Sequence, residues 1–308
     1  MRGGSMNFST TVAGIPLEHP IMNAAGTCKR WEGEEGISTL LRSASAAVVL
    51  GSITLEPKPG NSGEVYFPDP DGHFALNSLG LPNPGAPYLQ RPLPEMVKGI
   101  PDAGKPLFIS VAGFSPNEYV QLALIAIQSG AHLVELNLGC PNVWGDDGQK
   151  PIASYHPALI EEILVTVNQA IKSDIPFAVK LSPLDPGRLR DAAQIIKSFG
   201  FIRAVTTCNT FPNGFAWKGG QQAISHLDGL AGVSGPALKP IGLGQVRQFR
   251  ALLPERIDII GVGGIQTGQD VVDYLRAGAT AVQVATALIN RGPRVFSELL
   301  SEYAELAS

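Results

Sequence analysis

Short apolar runs alternate along this chain with longer stretches of helical periodicity. The runs occupy 21–25, 46–52, 107–112, 133–137, 177–181, 203–208, 257–262 and 281–285. Most are unbroken by polar alternation, the pattern of a strand buried on both faces. Between them the spacing of apolar residues predicts helices over 116–128, 157–171, 186–198 and 268–277, several opening with Ser, Pro or Gly in cap positions. Strand and helix in repeated alternation predict an α/β chain closed into a (β/α)8 TIM barrel. A doubly wound open sheet would carry a Gly-x-Gly-x-x-Gly turn near its first strand, and Asn23-Ala24-Ala25-Gly26 is not that turn.

Two stretches interrupt the alternation. Residues 55–101, dense in Pro and Gly, follow the second strand, and 211–240 follow the sixth. Long insertions inside a compact domain serve as lids or binding loops, so both are read as walls over the C-terminal mouth of the barrel. Glycine-rich or small-residue turns at 233–235, 261–264 and 285–287 stand where TIM barrels hold phosphate, because missing side chains let backbone N–H groups approach its oxygens. Lys180 lies inside an apolar strand, where a cation is costly unless it faces an anionic or electron-rich ligand. In the run 135–142, Cys140 sits between Asn137 and Asn142 where a strand gives way to a loop. Two carboxamides suit a ring bearing C=O and N–H groups, and the thiol offers a base or nucleophile between them.

Composition narrows the classes. With 308 residues, 44% hydrophobic and 16% charged, the chain is long enough for one α/β domain with a full core, read as 6–308. Residues 1–5, Met-Arg-Gly-Gly-Ser, read as an expression leader before a natural start at Met6. A net charge of −4 without a basic run argues against nucleic acid or an anionic membrane as partner, and no apolar run approaches the roughly 20 residues of a membrane span. Three cysteines, an odd number at unrelated spacings, indicate reduced thiols and a cytoplasmic location rather than a disulfide framework, and no metal site is expected.

Taken together, Asn77-Ser78-Leu79-Gly80-Leu81-Pro82-Asn83, Asn137-Leu138-Gly139-Cys140-Pro141-Asn142, Lys180, Asn209-Thr210 and the run 261–270 resemble the dihydroorotate dehydrogenases over nearly the whole chain. Cysteine at 140 is similar to the soluble class 1 enzymes, and Thr286-Ala287-Leu288 followed by Gly292-Pro293 to the homodimeric class 1A. The resemblance implies oxidation of dihydroorotate to orotate, FMN as cofactor and Cys140 as base. It implies substrate contacts from Asn77, Leu79, Gly80, Leu81, Asn137, Asn142, Asn209 and Thr210. For FMN it implies Ala25, Gly26, Gly51, Ser52, Asn137, Lys180, Val205, Ser234, Gly235, Gly263, Gly264, Ala285 and Thr286. A homodimer is the implied assembly, and a partner subunit carrying an iron–sulfur centre stays open.

The chain departs from the family at one place. Class 1 enzymes carry a lysine at the position matching Gly51, and class 2 enzymes one at the position matching Glu56; neither is present. Lys58 is the candidate replacement cation. Two other readings fit the same residues: an FMN oxidoreductase for another dihydropyrimidine or cyclic amide, and a non-catalytic FMN-binding barrel.

Overall fold

The computed structural model describes residues 8–27, 34–91, 93, 104–140, 144–145, 148–149 and 151–307. Asn142, Cys28, the leader and most of the loop after Cys140 lie outside the described residues.

The eight apolar runs form one parallel sheet: β1 (Ile21–Asn23), β2 (Val48–Ile53), β3 (Leu107–Val111), β4 (Leu133–Asn137), β5 (Phe177–Leu181), β6 (Ile202–Thr207), β7 (Asp258–Val262) and β8 (Ala281–Val284). Hydrogen bonding runs β1-β8-β7-β6-β5-β4-β3-β2, so β1 and β2 are the two ends of the ladder. Side chains close the seam between them. Asn23 accepts from the Val49 N–H at 2.8 Å and donates to the Val49 carbonyl at 2.8 Å, and the Ala46 N–H reaches the Ile21 carbonyl at 2.9 Å. A barrel that stopped one ladder short would leave buried backbone groups unpaired, and a carboxamide, donor and acceptor at once, substitutes for the missing strand bonds.

Helices α1 (Glu34–Arg42), α2 (Pro116–Gln128), α3 (Pro157–Ala170), α4 (Pro186–Lys197), α5 (Lys239–Leu252), α6 (Gly268–Ala277), α7 (Thr286–Arg291) and α8 (Val295–Ala307) surround the sheet. Their starts follow local chemistry: Ser115, Asp185 and Thr267 cap α2, α4 and α6 through side-chain oxygens, with Pro at the first helical position of α2 and α4. Outward strand residues such as Val134, Leu136, Val179 and Val205 pack against the helices in the main apolar layer.

Inside the barrel the contents change with height. Met22, Val49, Phe108, Leu133, Ala178, Ala204, Ile260 and Ala281 fill the lower end, and the hairpin Thr10–Val12 with Ile15–Leu17 plugs it with Val12 and Leu17. Above them the inward positions turn polar, with Ser110, Glu135, Asn137, Lys180, Thr206 and Gln283 all buried. The two insertions cover this polar end together. Strands Tyr66–Pro68 and Ala75–Asn77 of the first join Ala231–Ser234 and Phe211–Gly214 of the second in one antiparallel sheet, in which Asn77 pairs with Gly232 and Ala75 with Ser234. Phe67, Leu76, Ile224 and Ala231 give this roof its own small core.

Candidate active site

A cavity opens between the polar end of the barrel and the roof. It is lined by Ala25, Gly26, Ser52, Asn77, Leu79, Gly80, Leu81, Asn137, Cys140, Lys180, Asn209, Thr210, Ser234, Gly235, Gly263, Gly264, Ala285 and Thr286, all expected from the sequence. Two expected residues stand elsewhere. Val205 belongs to the apolar layer between strands and helices; its neighbour Thr206 is the residue of β6 that faces inward. Gly51 lies behind the cavity wall, its carbonyl accepting the Gly26 N–H.

The backbone at Gly51 is one that only glycine adopts without strain. Its φ is +105°, and a Cβ there would stand 2.3 Å from the Ser110 carbonyl oxygen. No side chain fits that backbone, so the position is glycine by conformation as well as by sequence. Lys58 does not replace the cation: its ammonium rests over the Phe114 ring, 4.6 Å from the centroid, and it does not line the cavity. Lys180 is therefore the one lysine or arginine among the described lining residues, 4% exposed, its ammonium without a hydrogen bond or ion pair among the described residues.

Asn137, at the end of β4, is held on every side. Its amide nitrogen donates to Ser52 Oγ at 2.8 Å, Ser52 Oγ lies 2.9 Å from Ser110 Oγ, and its Oδ1 accepts from the Gly139 N–H at 3.1 Å. Asn209 Nδ2 approaches the same Oδ1 at 3.5 Å, and Tyr119 donates its hydroxyl to the Asn137 carbonyl at 2.8 Å. The turn that presents Cys140 is fixed as firmly. Ser154 Oγ donates to the Leu138 carbonyl, Ser182 Oγ donates to that of Gly139, and a Cβ on Gly139 would come 2.7 Å from the Ser182 nitrogen.

The two described cysteines have different environments. Cys140 is half-buried at the cavity wall. Cys208 is fully buried, and burial pushes its thiol up to about 12 despite the opposing pull of Lys180. Of the two, Cys140 is the less buried at the cavity wall. Behind Cys140 lies a second, mostly apolar chamber, which shares Leu81, Asn137 and Cys140 with the main cavity and is walled by Phe114, Tyr119 and Ile163.

At the opposite end of the cavity the turns after β7 and β8 converge with the roof. Gly263 and Gly264 have φ of +123° and +69°, and a Cβ on Gly264 would meet Lys239 and the Gly235 carbonyl within 3 Å. Tyr274 donates its hydroxyl to the Gly263 carbonyl at 2.7 Å and to that of Val262 at 3.1 Å, pinning the turn; burial holds this phenol well above its ordinary pKa. Thr286 Oγ1 donates to Ser234 Oγ at 3.0 Å, joining the β8 turn to the roof. Gln283, 1% exposed, also lines the cavity, and neither atom of its amide has a hydrogen-bond partner among the described residues.

Ser110, Tyr119, Tyr274 and Gln283 had no signal in the sequence beyond polar residues at inward or helix-facing positions. The dihydroorotate dehydrogenase family model matches residues 7–306. The chain is 36% identical over 293 residues to the dihydroorotate dehydrogenase (fumarate) of Kluyveromyces lactis, spanning 94% of this chain and 89% of that protein. It is 35% identical over 305 residues to dihydroorotate dehydrogenase A (fumarate) of Lactococcus lactis subsp. lactis, spanning 97% and 94%. A crystal structure of DHODH in complex with ferulenol from Eimeria tenella has the same fold, with a TM-score of 0.80 at 20% identity over 99% of this chain and 86% of that one. Matched from end to end in sequence and fold, this chain belongs to the dihydroorotate dehydrogenase family, a family of flavin-dependent oxidoreductases.

Proposed function

We propose that the chain oxidises dihydroorotate to orotate, the redox step of pyrimidine biosynthesis, with FMN as cofactor and Cys140 as base. The observation that carries the reading is one cavity shared by a half-buried thiol, three asparagine side chains and a single lysine. The cavity fits FMN on independent grounds. The Gln283 amide is buried without a partner among the described residues and the Lys180 ammonium has no ion pair there, groups that a flavin ring would satisfy, and the turns at Gly235, Gly263 and Gly264 line the cavity with backbone rather than side chains. Gly235, Gly263 and Gly264, with the hydroxyls of Ser234 and Thr286, would hold the phosphate, while Lys180, Asn137 and Gln283 would hold the ring. Bound there, FMN supplies the acceptor for a hydride.

The remaining chemistry belongs to the chain. Asn77, Asn137 and Asn209 offer donors and acceptors to the C=O and N–H groups of the dihydropyrimidine, with Thr210 beside them. Cys140 Sγ removes the proton from C5 as the C6–H electron pair leaves as hydride, and the C5=C6 double bond forms. The Ser52 and Ser110 hydroxyls and Tyr119 hold Asn137 in place, so the ring meets a prearranged amide. Leu79 and Leu81, from the first insertion, exclude water above the ring.

Fumarate is the proposed oxidant, a small dianion suited to a cavity whose described lining carries Lys180 and no acid. Cys140 and Cys208, neither in a disulfide, suit a cytoplasmic enzyme, and no helix among the described residues is long and apolar enough to cross a membrane. An exposed apolar face on the second insertion supports a homodimer. Anaerobic mixing with dihydroorotate should bleach the flavin absorbance, and fumarate should restore it. A flavin-loaded protein that dihydroorotate leaves oxidised would overturn the dehydrogenase reading in favour of another cyclic amide substrate or a non-catalytic barrel.

A further inference from the structure

We infer that Glu135 is the interior counter-charge of Lys180 and, on the FMN reading above, a positioning residue that lowers the flavin's reduction potential. Glu135 lies in the middle of β4, 1% exposed, and by strand alternation faces the barrel interior with Asn137. Thr206 donates its hydroxyl to Glu135 Oε2 at 2.8 Å, while Oε1 is buried without a hydrogen-bond partner among the described residues. A charge in such a place is favoured by a compensating charge nearby.

Strand register identifies that charge. Glu135 pairs with Ala178 across β4 and β5, and Lys180 is the next inward residue of β5, so the two lie one layer apart, roughly 7 Å along the strand. Thr206, which holds the carboxyl, pairs with Lys180 itself. Ala178 presents only a methyl group to the interior between them. No ion pair joins Glu135 to Lys180 directly: the lysine reaches the cavity and the carboxyl stays below, anchored by Thr206. The arrangement leaves the ammonium free to face a ligand while a negative charge beneath it limits its field. Because both groups are buried, salt does not screen the coupling. A reduced flavin carries more negative charge than an oxidised one, so a carboxylate beneath it favours the oxidised form and hence release of electrons to the oxidant.

The experiment uses two readouts. In FMN-loaded protein, Glu135→Gln keeps an acceptor for Thr206 and removes the charge. It is expected to shift the equilibrium between oxidised and reduced flavin at least tenfold toward reduced, about 30 mV for a two-electron couple. Thr206→Val, which withdraws the hydroxyl donor from the carboxyl, is expected to shift it the same way by less. In apoprotein, thermal melting of Glu135→Gln, Lys180→Met and the double variant should give a double-variant loss smaller than the sum of the single losses. A potential unmoved in flavin-loaded Glu135→Gln, or strictly additive losses in the cycle, overturns the inference. A protein that takes up no FMN fails the cofactor reading instead, and the apoprotein cycle still decides whether the two charges are coupled.

Discussion

At the scale of single residues, the division of labour between two thiols follows from burial. Cys140 faces the cavity beside Asn137, whereas Cys208 is held as a neutral thiol by its surroundings until about pH 12. Cys140→Ala should therefore slow flavin reduction by dihydroorotate about 100-fold or more, the scale of a lost general base, while FMN stays bound. Cys208→Ala should leave the shape of the rate profile between about pH 6 and 9 unchanged, since a thiol that stays protonated contributes no ionisation there. Stopped-flow absorbance on both variants separates the roles, and a Cys140→Ala protein as fast as the parent would move the base elsewhere. Residue-scale reasoning from sequence could not tell which way the Val205 side chain points, for a geometric reason. A strand can be placed from its apolar run, but one residue decides between the helix layer and the interior, and a run buried on both faces hides which is which. At Gly51 the sequence showed an absent lysine but not the backbone found there, one with no room for a Cβ.

Among elements, the eight strands were legible because parallel strands buried on both faces are continuous apolar runs. The roof pairing was not. Asn77 and Gly232 are 155 residues apart, as the weak contact from Asn77 Nδ2 to the Gly232 carbonyl records, and nothing local in either insertion names its partner. The seam was equally silent, since a single asparagine at the end of a three-residue strand looks like a loop residue. Asn23→Leu should leave the Val49 N–H and C=O unpaired in the barrel wall and cost about 3 kcal/mol, read from urea unfolding. A loss below about 1 kcal/mol would mean that the seam is held by backbone contacts alone. The start of α6 gives a pH-dependent counterpart. Burial works to raise the Asp270 pKa, but hydrogen bonds from Lys239 and from the backbone N–H groups of Gln266 and Thr267 outweigh it and hold the carboxyl below its ordinary value. A depressed folded pKa contributes stability that is fully present above the unfolded value of about 4 and is lost as pH falls through the folded one. Asp270→Asn should thus lower the melting temperature at neutral pH, by the equivalent of about 1 kcal/mol for the lost capping box, and the gap to wild type should close below about pH 4.

For the whole molecule, the surface that remains to be explained is the outside of the roof. Trp217 is 68% exposed and stacks edge-on against Phe215, with ring centroids 4.9 Å apart. Phe215 in turn lies over Gly229, where a Cβ would meet its ring at 2.6 Å, and the exposed Leu230 follows directly. Phe211, on the edge strand of the roof, is also exposed. Large apolar side chains gathered on one insertion are unfavourable to leave in water, and aromatic residues are enriched where protein surfaces meet. A second copy of the chain is the partner that is always present at the concentration of the protein itself, and a two-fold axis through such a patch buries it on both subunits at once. The insertion also supplies Ser234 and Gly235 to the cavity, so an interface on its outer face would steady the wall of the active site from behind. Light scattering should give a homodimer for the wild type, and Phe215→Glu with Trp217→Glu should yield a monomer with an unchanged circular dichroism spectrum. The monomer is expected to hold FMN less tightly, because the roof then loses its support. A wild type that runs as a monomer at micromolar concentration would sink the dimer.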